Sequence, residues 1–252
     1  MTPALLLTRA AADNQRLADK LAARGVRTWQ MPLMQLVEEP EDAAARQMVL
    51  DLDRYQAIMV VSPAAARFGL QRVDSYWPQM PVGIDWFAVG ESTARCLREA
   101  DLVVQVPGQG QDSESLTALP AWQALLNQPS LRVLIWRGLG GREYLADQVR
   151  AAGGQVDYLE LYRRQPATGL RESLNEALQQ KPGGILLLSG QALEYWRQAA
   201  AEQWPEQCNW RCWVPSQRVA AQAEEFGCTN IIVCNGADDD AVIEAVMAHP
   251  LT

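Results

Sequence analysis

Two stretches of this 252-residue sequence hold side chains that could do chemistry: Arg137 to Glu143 (RGLGGRE) and Tyr162-Arg163-Arg164. In the first, Gly138, Gly140 and Gly141 let the backbone come close to a ligand. Arg137 and Arg142 flank them with planar guanidinium groups suited to bidentate carboxylate recognition. Val133, Leu134 and Ile135 before the turn read as a buried strand, and Leu145 and Val149 after it as one face of a helix. A glycine turn between strand and helix brings an anion against a helix N-terminus, although it also serves as a plain tight connection. Tyr162 carries a phenol that could donate a proton. Pattern alone favours a packed tyrosine over a catalytic one.

Other chemistries are excluded by residue type. RGLGGRE lacks the GxGxxG spacing of dinucleotide loops and the GK[ST] of phosphate loops. The only histidine, His249, stands near the C-terminus, which removes histidine triads and histidine metal sites. Cys208 and Cys212 lack the partner ligands of a zinc site. Ser62 and Ser189 stand in no GxSxG elbow, and helix N-capping is their default role.

The positioning elements follow from the apolar runs. Leu5 to Leu7, Ala57 to Val61, Phe87 to Val89, Leu102 to Val106, Leu134 onward, Ile185 to Leu188, Trp213-Val214 and Ile231 to Cys234 read as short strands. Helix-compatible spacing follows most of them, with Pro120 interrupting the one between Ser115 and Leu126. Such alternation implies parallel sheets with helices on both faces. Trp29 to Val37 is extended, but Pro32 marks it as an edge or a linker. Asp238 to Asp240 reads as an acidic helix start.

Composition bounds the rest. The 48% hydrophobic content is ample for one large or two medium cores, and no apolar run nears the ~20 residues of a membrane span. The N-terminal apolar run has no basic segment before it and reads as a first strand, not a signal peptide. Five cysteines without CxxC spacing read as reduced thiols of a cytoplasmic protein. A formal net charge of −8 argues against nucleic-acid binding. All but Lys20 and Lys181 of the 22 basic residues are arginines.

The two halves also match. Thr8-Arg9 falls on Trp136-Arg137, and Leu17, Leu21 and Gly25 fall on Leu145, Val149 and Gly153, all at a spacing of 128; Ser62 meets Ser189 at 127 and Ala94 meets Ala220 at 126. We read this as a duplicated architecture. Each copy exits into an extended run, and two such runs could pair as a connector. The first domain then comprises residues 1–33 and 167–252, the second 43–157, with 34–42 and 158–166 between them. Two consecutive domains cut near residue 128 remain the simpler alternative. Ligands of open parallel sheets sit beyond the carboxyl ends of the strands. Here those ends carry Thr8, Arg9, Ser62, Gly90, Thr93, Arg137, Gly138, Gly140, Gly141, Arg142, Ser189, Ser216 and Arg218. Two such edges facing each other would make a cleft for an anionic ligand.

In this order and spacing the motifs resemble the uroporphyrinogen-III synthase family over essentially the whole chain. The carriers are Leu6-Leu7-Thr8-Arg9, Val61-Ser62 before Ala64-Ala65, Phe87-Ala88-Val89-Gly90 with Thr93-Ala94, Leu134 to Glu143, Tyr162-Arg163-Arg164, Leu188-Ser189-Gly190, and Val214 to Ala220. The resemblance implies two flavodoxin-like parallel-sheet α/β domains joined by a two-stranded β-ladder. It implies closure of linear hydroxymethylbilane into uroporphyrinogen III, with inversion of ring D, loss of water, and no metal or organic cofactor. The expected partner is this small-molecule substrate, handed over by the preceding pathway enzyme, with no nucleic acid and no membrane, and the expected state is a monomer. Tyr162 matches the family's cleft tyrosine and becomes the candidate general acid, while the strand-end residues become substrate ligands. One departure stands out: where relatives repeat glycine and threonines, this chain has Val214-Pro215-Ser216-Gln217-Arg218, so Ser216 and Arg218 are weaker candidates. A hinged binding protein that holds a polycarboxylate without reacting is the alternative.

Overall fold

The computed structural model describes residues 3–108, 113–141 and 143–251; the expected site residue Arg142 lies outside them. Along the chain run β1 (Leu5–Leu7), α1 (Ala11–Ala22), β2 (Thr28–Gln30), β3 (Met34–Glu38), α2 (Ala43–Leu50), β4 (Ala57–Val60), α3 (Pro63–Asp74), β5 (Asp85–Ala88), α4 (Glu91–Arg98) and β6 (Val104–Gln105). There follow α5 (Ser113–Thr117), α6 (Pro120–Leu126), β7 (Arg132–Gly138), α7 (Tyr144–Ala151), β8 (Gln155–Pro166), α8 (Leu170–Gln180), β9 (Gly184–Leu186) and α9 (Gly190–Ala200). The last elements are α10 (Trp204–Gln207), β10 (Cys212–Val214), α11 (Gln217–Glu225), β11 (Ile231–Val233) and α12 (Asp239–Ala248). None of these helices is long and apolar enough to cross a membrane.

The chain divides into two compact units, residues 1–35 with 165–252, and residues 36–164. In the first, five strands lie in the order β11-β10-β9-β1-β2, parallel throughout. This is the doubly wound flavodoxin-like order. In the second, β8-β7-β4-β5-β6 repeat that order in parallel, and β3 is added beside β8 at the edge.

Burial of both sheet faces explains why the strands are apolar runs rather than alternations. In β1, Leu6 enters one core while Leu5 and Leu7 enter the other. In β4, Ile58 and Val60 face one core, and Ala57 and Met59 the other. Pro32 separates β2 from β3, and each of these strands occupies the edge of its sheet, where a missing N–H costs no ladder bond. The expected strand from Leu102 shortens to Val104–Gln105. Pro120 does not break one helix; it opens a second, α6, from its first turn, where its fixed φ is suited and no N–H is needed. The five cysteines are free.

Candidate active site

The site is built on the end of β7. Its pairing with β8 runs in register from Arg132–Gln155 to Arg137–Glu160, then skips, so that Gly138 meets Tyr162. The extra residue is Leu161. A bulge of this kind breaks the two-residue alternation of a strand. Its effect is visible in burial, because adjacent Leu161 and Tyr162 both join the same core. Gly138 is required at the contact: a Cβ there would lie 2.7 Å from the Tyr162 ring. Leu139 then donates its N–H to the Tyr162 carbonyl at 2.7 Å, and Gly140 turns the chain with a φ of +72°. The glycines therefore do two different jobs, close approach at Gly138 and a left-handed turn at Gly140.

Tyr162 is only 2% exposed, yet its hydroxyl is 3.0 Å from the Ser62 hydroxyl, with either able to donate. Ser62 is in addition the N-cap of α3, accepting the Ala65 N–H at 3.0 Å. Phe68, two turns along the same helix, packs on the Tyr162 ring with centroids 5.9 Å apart. The Arg164 guanidinium lies 5.8 Å from the centroid of that ring. Tyr162 and Arg164 line a cavity of about 350 Å³, with Val61, Val89, Ile135, Leu145, Arg137, Gly138, Gly140 and Gly141 completing its wall. A wall that joins apolar side chains, two arginines and a glycine turn suits an apolar ring that bears carboxylates.

Arg137 is held from several directions. Its Nε and Nη2 donate to Glu160 Oε1 at 3.2 and 3.0 Å, and its Nη1 donates to Glu143 at 2.9 Å. The guanidinium stacks 3.6 Å from the Tyr158 ring centroid, and the Tyr158 hydroxyl donates to Glu143. That hydroxyl bond, reinforced by Arg137, draws the Glu143 carboxyl down to about 2. Partial burial and the carboxylate beside it push the Tyr158 phenol up.

The remaining expected residues of this unit sit at helix starts. Gly90 precedes α4 as its N-cap, and Thr93 is buried in the first turn. In the other unit, Ser189 caps α9 by accepting the Ala192 N–H at 3.1 Å, as Ser62 caps α3. Ser216 stands at the N-cap of α11 without a side-chain cap bond, and Arg218 is exposed on that helix. Thr8 is buried and donates its hydroxyl to the Leu186 carbonyl. Arg9 is engaged in an ion pair: it donates to Asp239 at 2.9 Å and to the Ala237 carbonyl. Thus Arg137, Gly138, Gly140, Gly141 and Tyr162 line one cavity, and Ser62 joins them through its contact with the Tyr162 hydroxyl. Arg9, Ser189, Ser216 and Arg218 belong to the other unit. Among the described residues, no three His, Cys, Asp or Glu side chains gather as a metal site would need.

Glu143, Glu160 and Arg164 were not among the expected site residues. Arg164 had a signal in the sequence, since it stands two residues beyond Tyr162 and so shares its side of a strand. Glu160 had none, because only the β7–β8 register brings it beside Arg137.

Residues 15–244 match the family model described as uroporphyrinogen-III synthase HemD. The chain is 31% identical over 253 residues to the uroporphyrinogen-III synthase of Salmonella typhimurium, covering 96% of this chain and 99% of the relative. It is 29% identical over 252 residues to that of Escherichia coli, again covering 96% and 99%. Among solved structures, uroporphyrinogen-III synthetase from Helicobacter pylori aligns with a TM-score of 0.56 at 15% identity, covering 98% of this chain and 99% of that one. A mutant uroporphyrinogen III synthase from Thermus thermophilus aligns with a TM-score of 0.55 at 16% identity, covering 90% and 92%. At such identities the structures speak to the fold alone.

Proposed function

The chain belongs to the uroporphyrinogen-III synthase family, and from that premise we propose that it is a lyase closing hydroxymethylbilane into uroporphyrinogen III, with loss of water and inversion of ring D. The observation that carries the reading to particular atoms is the Tyr162–Ser62 hydroxyl pair, 3.0 Å apart, beside a cavity lined by Arg137, Arg164 and the glycine turn.

The reaction begins by breaking the bond between the hydroxymethyl carbon and its oxygen. Electrons come from the substrate's own pyrrole nitrogen, so the protein need only protonate the leaving oxygen and steer the azafulvene cation. Tyr162 supplies that proton. Ser62 keeps its oxygen fixed by the Ala65 N–H, so its own hydrogen can turn to the phenolate oxygen that forms. The bond therefore strengthens as charge develops, which is where catalysis gains. Phenols are weak acids near neutrality, so a substrate carboxyl shares the role.

The cavity is near the lower end of the ~300–1,000 Å³ typical of small-molecule sites. That is room for one substituted ring, whose carboxylates would meet Arg137, Arg164 and the glycine turn of the cavity wall. Holding that ring so that its substituted carbon meets the cation favours the spiro path over simple closure to the type I isomer. The same proposal takes the chain as a cytoplasmic monomer that needs no cofactor and receives its substrate from the preceding pathway enzyme. Tyr162→Phe tests the assignment: turnover should fall by about 10²-fold without vanishing, the usual share of a general acid. Full activity in the phenylalanine protein would remove Tyr162 from the mechanism.

A further inference from the structure

We infer that Glu160 is an internal occupant of the carboxylate seat at the glycine turn, and that it sets the affinity of the site for carboxylate ligands. The inference rests on the reading of Arg137 and Gly140 as substrate contacts. One oxygen of Glu160 accepts from Arg137 Nε at 3.2 Å, from Arg137 Nη2 at 3.0 Å and from the Gly140 N–H at 3.3 Å. A guanidinium edge beside a backbone N–H is the donor pair that a ligand carboxylate would use.

Arg137 has restraints besides Glu160. Glu143 and the Tyr158 ring restrain the guanidinium from other sides. The Glu160 side chain is also 32% exposed, so an arriving carboxylate can reach and displace it. Exchange is like for like: a carboxylate that takes the seat releases another to water, and a neutral group gains nothing. A ligand must therefore bring further carboxylates for other contacts to bind well. This favours polycarboxylates and weakens the hold on any single acid.

Glu160→Gln keeps the volume and one acceptor oxygen but removes the charge, and a neutral acceptor forms the weaker bond. The variant should lower the KM for hydroxymethylbilane about two- to fivefold, the range of a partly exposed ion pair. It should lower the Kd of benzene-1,2,4,5-tetracarboxylate, measured by titration calorimetry, in the same proportion. Glu160→Ala carries the same prediction should Glu160→Gln fold poorly. A rise in KM and Kd would overturn the inference, because Glu160 would then serve to position Arg137. Unchanged values would overturn it as well. If the parent protein forms no type III product, the functional reading fails, while the calorimetric comparison still decides the role of Glu160.

Discussion

At Tyr162 the proposed chemistry depends on one hydroxyl contact, and that contact is shared with a structural duty. Ser62 both caps α3 and meets the phenol, so its removal has two consequences that must be separated. Glycine is nearly as good as serine at a helix N-cap, costing only a few tenths of a kcal/mol, whereas alanine costs about 1 kcal/mol. Ser62→Gly should leave the urea midpoint almost unchanged while turnover falls about two- to tenfold, the worth of one net hydrogen bond. Ser62→Ala should show the same loss of turnover with a lower midpoint. Equal turnover in parent and glycine proteins would limit Ser62 to capping. The serine's capping was legible in the sequence because it stands before Pro63 at the end of an apolar run. Its second partner was not, since 100 residues separate Ser62 from Tyr162.

Elements decide which carboxylates each arginine meets. Arg9 follows β1 just as Arg137 ends β7, and the matched spacing suggested one role for both. The structure separates them through what packs nearby. Asp239, in the first turn of α12, accepts from Arg9 at 2.9 Å and Arg16 at 2.8 Å, with the Lys20 ammonium 3.0 Å away. Its side chain is 7% exposed, and the Arg16 bond, aided by Lys20 and Arg9, holds its carboxyl well below the usual aspartate range. A depressed carboxyl stabilises the fold above its unfolded value of ~3.9 and loses that contribution as pH falls towards the folded value. Asp239→Asn should therefore lower unfolding stability by about 2 kcal/mol at pH 7, given that two of its three partners are largely exposed. The gap between variant and parent in urea titrations should narrow below about pH 4. A gap independent of pH would show that the ion cluster contributes nothing through charge. No spacing rule could have anticipated this cluster, because Arg9 and Asp239 are 230 residues apart. The bulge that turns Tyr162 was equally hidden, being a property of two strands and not of one.

At the scale of the whole molecule, the repeat was the most informative signal. The landmarks at matched spacing correspond to β1 with β7, α1 with α7, β9 with β4 and β10 with β5, and apart from the added β3 the two sheet orders agree strand for strand. Gly25 and Gly153, paired by spacing alone, take left-handed φ values of +77° and +82° just beyond α1 and α7. The chain order differs: the β1–α1–β2 unit comes first in its sheet, whereas β7–α7–β8 comes last in the other. Parallel strands buried on both faces announce themselves as apolar runs, which is why the architecture could be read. The chemistry could be read only as far as residue type, down to a phenol, hydroxyls, arginines and open backbone. This arrangement is proposed to direct ring closure, and the product isomer reports on it directly. Incubating the protein with hydroxymethylbilane, oxidising the products and separating the porphyrin isomers should give mainly type III, formed faster than the spontaneous reaction. Type I alone, at the spontaneous rate, would contradict it.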